Sequence, residues 1–281
     1  MSSHGKASLN AKKKVPRRNS LPADDVQNFR TLLKRFLSEK DSEGRVVASA
    51  KWGVYAFYDY DGEPIYVGQT NEKLRVRIQR HLTNQRTDAV AMRILDIFEV
   101  AEVAVWPLWE FQNVTKKGTE AFKEAQARLN QCEYTAYLDA IAHSRYKAIL
   151  NEKIPPKSKR CDLPTPLRMP LISDQVREER EHPDIRIARR AEAISRLAAV
   201  ARERGEVSAG LRRALVVQAV RLTYLAAQRL AYVEARPDPK PEAIDVLQLT
   251  GPVLEEFPEP KEDSEPEELA LDLDDVEEYD E

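Results

Sequence analysis

Hydrophobic and polar positions fall into their clearest pattern between Trp52 and Tyr60, where WGVYAFYDY sets aromatic and β-branched residues in the manner of a strand. Asp59-Tyr60-Asp61-Gly62-Glu63-Pro64 follows with turn chemistry, since glycine can take positive φ and proline rules out a helix. Ile65-Tyr66-Val67 is therefore expected to return antiparallel to the first strand as the second arm of a hairpin. Thr70 or Asn71 can then cap a helix running to about Leu82, with Leu74, Ile78 and Leu82 as its apolar stripe. Phe98 to Trp106 (FEVAEVAVW) reads as a third strand and Thr119 to His143 as a long helix. Upstream, residues 24–39 (DDVQNFRTLLKRFLSE) form an amphipathic helix with Val26, Phe29, Leu32, Leu33 and Phe36 on one face.

Past residue 156 the pattern changes. Residues 157–184 are rich in proline and charge and read as an extended connector. From Ile185 to about Arg236 two helices are expected, broken at Gly205, with apolar stripes beside a series of arginines that includes Arg186, Arg190 and Arg221. One reading makes this helical hairpin a unit that packs on the preceding domain or forms a homodimer, its arginines lying on solvated helix surface. The other makes it a DNA-gripping appendage. The expected fold class is α/β, with a small antiparallel three-stranded sheet flanked by helices, a C-terminal helical hairpin and disordered termini. The expected division is a basic arm at 1–22, a domain with its N-terminal helix at 23–156, the connector at 157–184, the hairpin at 185–236 and an acidic tail at 237–281.

Charge sharpens this division. A net charge of −3 over 281 residues hides +6 on residues 1–20 and −14 on residues 251–281, which leaves +5 on everything between. A cationic body between a basic arm and an acidic tail suits a protein that meets phosphate. No run approaches the roughly 20 apolar residues of a membrane span, and the lysine-rich start lacks an apolar segment after it, so no membrane partner is expected and a cytoplasmic location is. The two cysteines, Cys132 and Cys161, make neither a disulfide framework nor a zinc pair by spacing.

The candidate chemistry is concentrated in the first hairpin and the helix after it. Tyr55 and Tyr66 come from its adjacent strands, while Arg77 and His81 stand four residues apart on one edge of the following helix, where they can face the hairpin. Glu120, Glu124 and Glu133 all fall in the long helix. Glu133 is favoured among them because it sits beside Cys132, Ala136 and Tyr137, where a buried carboxylate needs a cation or hydrogen-bond donors. Asn151 follows before Ile154-Pro155-Pro156, where asparagine also suits a helix C-cap.

Gly53-Val54-Tyr55, ten residues, then Tyr66-Val67-Gly68, with Arg77 and His81 downstream, resembles the GIY-YIG nuclease superfamily over about residues 51–156. Valine replaces the family's isoleucine in both tripeptides and keeps the β-branched side chain. The resemblance implies a metal-dependent endonuclease that hydrolyses phosphodiesters in DNA, in repair, restriction or mobile-element contexts. It implies Glu133 as the protein ligand of Mg²⁺ or Mn²⁺, Arg77 on the phosphate, and Tyr55 as base toward water with His81 as its proton partner. Tyr66 and Asn151 would then position phosphate and scaffold. A nuclease acting on RNA, or a non-cutting DNA-associated scaffold that retains the fold, are the alternatives.

Overall fold

The computed structural model describes residues 24–83 and 94–251. The expected basic arm and the acidic part of the tail beyond residue 251 lie outside the described residues. The chain begins with α1 (Asp24–Phe36), then β1 (Gly53–Tyr58), β2 (Pro64–Thr70), α2 (Leu74–Thr83), β3 (Glu102–Pro107) and α3 (Glu120–His143). After these come β4 (Leu167–Pro170), α4 (Asp174–Arg180), α5 (Pro183–Arg204), α6 (Ala209–Val233) and α7 (Val246–Thr250).

The sheet is antiparallel, in the order β2-β1-β3-β4. It has four strands, not the three expected. The fourth lies in the segment read as a connector, where prolines at 164, 166 and 170 mask it. An edge strand tolerates this because only one of its sides must supply ladder bonds. Leu167 and Met169 pair with Val105 and Val103, and Arg168 bonds Glu102 at 2.7 Å and lies over the Tyr58 ring at 3.8 Å. The third strand is also shorter than expected, because Asp96 accepts the Phe98 N–H at 3.0 Å and turns Ile97–Glu99 into a 3₁₀ segment before the strand starts.

β1 is central and buried on both faces, which explains why it carries no charged residue. Val54 and Ala56 point to one face, where Leu129, Cys132, Ala136 and Tyr137 of α3 cover them. Tyr55 and Phe57 point to the other, toward α2, α1 and the helices after residue 183. β2 is the opposite edge. There the Leu150 N–H donates to the Ile65 carbonyl at 2.8 Å, closing part of the open ladder.

The hairpin of α5 and α6 packs on the preceding domain rather than standing apart. Leu197, Val200, Leu211, Ala214, Val217 and Tyr224 join the same hydrophobic cluster as Tyr55 and Leu74. Homodimerisation through these helices gains no support, since the stripe that would carry it faces the chain's own interior.

Three of the arginines expected at the surface are buried instead. Arg186 and Arg190, one turn apart on α5, and Arg221 of α6 converge on Asp59 at the end of β1, and all four residues are at most 3% exposed. Asp59 Oδ2 accepts from Arg221 at 2.7 Å, Arg190 at 3.2 Å and Arg186 at 3.3 Å, while Oδ1 accepts the backbone N–H groups of Asp61 and Glu63. Arg186 also forks onto Asp61, and Arg190 reaches Glu99 at 3.2 Å. Three guanidiniums thus meet three carboxylates. The reading of these arginines as solvated surface fails because their partners lie in a turn and a 3₁₀ segment distant in sequence. No helix among the described residues is long and apolar enough to cross a membrane.

Asp59→Asn leaves three buried cations one counter-charge short. We expect a loss on the order of 3–5 kcal/mol in urea unfolding, as for other broken buried pairs. Arg229→Ala, which removes an exposed pair with Asp184, should change stability by no more than about 1 kcal/mol. Equal effects of the two would remove the network from its anchoring role.

Candidate active site

The hairpin register sets the site. Tyr55 stands opposite Gly68 across the strand pair. A Cβ at position 68 would lie 2.5 Å from the Tyr55 hydroxyl oxygen and 3.0 Å from Cε1 of Tyr66, so only glycine leaves room for the phenol. Gly53, opposite Thr70 at the same open end of the hairpin, plays a matching part: a Cβ there would sit 2.8 Å from the Trp106 carbonyl and 3.0 Å from Leu74 at the start of α2. The two glycines therefore let β2 and α2 close on the Tyr55 side of β1.

Leu74, Ile78 and Leu82 anchor α2 on that face, which swings Arg77 and His81 over the tyrosines. His81 Nε2 lies 2.8 Å from the Tyr55 hydroxyl, and the Arg77 Nε–H donates to the same oxygen at 3.3 Å. A guanidinium can only donate, so the phenol oxygen accepts from Arg77, and its own proton is free to go to Nε2 of an imidazole protonated on Nδ1. The Tyr66 ring completes the cluster, 6.2 Å from Tyr55 and 5.6 Å from His81 between centroids.

Tyr55 is fully buried. Burial, with Tyr66 as a neighbour, holds its hydroxyl well above the ordinary value of 10, and Arg77 only partly offsets this. A standing phenolate is therefore not what this environment favours. A neutral hydroxyl that passes a proton to His81 is consistent with it.

Glu133 is half-buried on α3. Burial pushes its carboxyl up to about 7, and the charge of Arg77 pulls the other way without cancelling it. Its carboxylate has no hydrogen-bond or ion-pair partner among the described residues, whereas Glu120 is exposed and paired with Lys123 at 2.9 Å and Glu124 is exposed. No group of three or more histidine, cysteine or acidic residues is placed to hold a metal ion among the described residues. A single hard oxygen donor, unfavourable as a bare anion, nevertheless fits an ion such as Mg²⁺ that keeps most of its waters.

Asn151 is committed elsewhere. Its Oδ1 accepts the Val67 N–H at 3.0 Å and its Nδ2 donates to the Val67 carbonyl at 2.7 Å, so the side chain acts as a short stretch of neighbouring strand on the β2 edge. That is a scaffold role, and it is no helix cap, because α3 ends at His143.

Sequence reading overlooked an amide chain that fixes α3 against β2. Gln69 donates to Asn130 at 3.1 Å, Gln126 donates to Asn130 at 2.9 Å, and Asn71 donates to Gln126 at 3.3 Å. Asn130 lies one turn before Glu133. The signal that could have found it was Gln69 itself, a polar residue directly after Tyr66-Val67-Gly68 in a buried strand.

With this geometry in place, the comparison with protein families is direct: the model of the GIY-YIG catalytic domain matches residues 51–121. This segment is a GIY-YIG domain. No curated protein and no solved structure matches the chain. The GIY-YIG match spans β1 through β3 and takes in Tyr55, Tyr66, Arg77 and His81, while Glu133 and Asn151 lie beyond it.

The Glu133 carboxyl yields a pH test. Its folded value of about 7 exceeds the ordinary 4.5, so the folded chain binds the extra proton and the cost of ionising it is absent at pH 4.5 and complete above pH 7. Each pH unit between those two values is worth about 1.36 kcal/mol. Glu133→Gln should therefore be more stable than the parent by roughly 1–3 kcal/mol at pH 8 and equal to it near pH 4.5. Added Mg²⁺ should raise the melting temperature of the parent and not of Glu133→Gln. A difference that does not vary with pH would mean that Glu133 is solvated.

Proposed function

We propose that the protein is a divalent-metal-dependent endonuclease that hydrolyses phosphodiester bonds in DNA. The observation that carries this reading is the Tyr55 hydroxyl held between Arg77 and His81 at the open end of a GIY-YIG hairpin. GIY-YIG nucleases generally depend on a divalent metal ion. Glu133 would hold that ion, Mg²⁺ or Mn²⁺, which when bound supplies Lewis-acid stabilisation of phosphate oxygens.

The chain's own residues account for the rest. Water attacking phosphorus gives its proton to the Tyr55 oxygen as the Tyr55 proton moves to His81 Nε2, so no free phenolate forms. Arg77 uses Nε on Tyr55, which leaves its terminal amino groups for the charge that grows on the phosphate. Tyr66 walls the site with its ring, and Asn151 holds the strand that carries it. Beside the start of α2 lies an open groove lined by Arg45, Lys73, Arg75, Trp109 and Gln112. Asp41 and Glu43 neutralise Arg45 there, and Arg75 is pinned to the Leu37 carbonyl, so Lys73 is the charge left to meet a flanking phosphate.

The test is single-turnover cleavage of plasmid DNA and of a structured RNA, with Mg²⁺ and with EDTA. We expect cutting of DNA only with the metal. Arg77→Ala should lower the rate by about 10²-fold or more while affinity changes less, and Arg77→Lys should not restore it, because a point charge lacks the guanidinium fork. An unchanged rate with weaker binding would make Arg77 a positioning contact, cleavage of RNA alone would move the substrate, and cleavage in EDTA would contradict the metal requirement.

A further inference from the structure

The only two cysteines of the chain, 29 residues apart in sequence, meet in the fold. Cys132 Sγ on α3 lies 3.6 Å from Cys161 Sγ, in the segment that crosses α3 before β4, and both thiols are free. That separation is van der Waals contact between sulfurs, so a small rotation of the side chains brings them to bonding distance. Thr135 fixes the approach: its hydroxyl accepts the Cys161 N–H at 3.1 Å while donating to the Gln131 carbonyl at 2.8 Å, which holds the Cys161 backbone against α3. Arg128 adds a second tie, donating to the Asp162 carbonyl at 2.8 Å. Packing alone needs no such anchoring of the half-exposed Cys161.

We propose that Cys132 and Cys161 form an intramolecular disulfide on exposure to a hydroperoxide, a modification site that locks the 157–166 segment onto α3. Access sets the order of events, since Cys132 is fully buried and Cys161 is half-exposed. The hydroperoxide oxidises Cys161 to a sulfenic acid, with water or an alcohol leaving from the cleaved O–O bond. Cys132 sulfur then attacks the Cys161 sulfur, the S–O bond breaks, and the displaced hydroxide takes the Cys132 proton and leaves as water. Two thiols lose two electrons, the peroxide gains them, and no other reactant is needed. The closed loop contains the second half of α3 from Glu133 onward and Asn151, so the crosslink fastens the scaffold behind the site without touching Tyr55, Arg77 or His81.

The test uses the full chain. Purified protein is treated with hydrogen peroxide, denatured, alkylated and mapped by mass spectrometry. The expected result is a monomer with no alkylatable thiol, a mass lower by two hydrogens and a linked Cys132–Cys161 peptide, all reversed by dithiothreitol. The melting temperature of the oxidised chain should rise by roughly 5–10 °C, from the closure of a short loop. Cys161→Ser, a small change at a half-exposed position, should leave the Cys132 thiol alkylatable after peroxide and abolish the rise. Two persisting thiols, sulfinic or sulfonic acid at Cys161 with Cys132 still free, or a crosslink between chains would each overturn the proposal.

Discussion

One cross-strand pairing governs this structure: Tyr55 opposite Gly68. A slip of a single residue would turn one strand over relative to the other, because side chains alternate with a period of two. It would put Tyr55 and Tyr66 on opposite faces of the hairpin and separate Val54 from Val67. In the register that forms, the valines fill the α3 side and the tyrosines meet Arg77 and His81. The hydrogen-bonded hydroxyl and the missing side chain of Gly68 therefore describe one constraint from two sides: the phenol occupies the volume that a Cβ would take.

A second constraint holds the far end of the same hairpin. Asp59 closes β1, caps the turn with two backbone bonds and gathers three arginines from helices more than a hundred residues later. A buried ionic cluster is weak evidence for net stability, since desolvation opposes the Coulombic gain. Its effect is on position. It commits the α5–α6 hairpin to one seat on the β1–β2 hairpin, and Asn151 and Leu150 seal the β2 edge from the other side.

Much of the local structure was legible in the chain. The hairpin, α2 and its Arg77–His81 edge follow from alternation, turn residues and helical spacing, all properties of contiguous sequence. β4 was hidden because its prolines argue against a strand, and only its edge position makes them tolerable. The arginines of α5 and α6 misled for a related reason. An arginine beside an apolar stripe reads as surface unless its carboxylate partner is known, and Asp59 looked like turn chemistry and nothing more. The two bonds that the Asn151 side chain makes to β2 were not legible, because nothing in the sequence indicates that Val67 presents an unpaired N–H and carbonyl. Tyr55 followed the same rule: spacing placed it in the site, whereas its raised pKa depends on burial that the three-dimensional packing creates.

In the proposed mechanism the Tyr55 hydroxyl is the group that carries a proton from water to His81. Tyr55→Phe keeps the ring that fills the core and removes only that oxygen, so its thermal unfolding should differ little from the parent while its single-turnover cleavage rate falls by about 10²-fold or more, the size expected for a lost general acid–base group. Tyr55→Phe protein that is folded and cuts metal-loaded DNA at the parental rate would contradict that role.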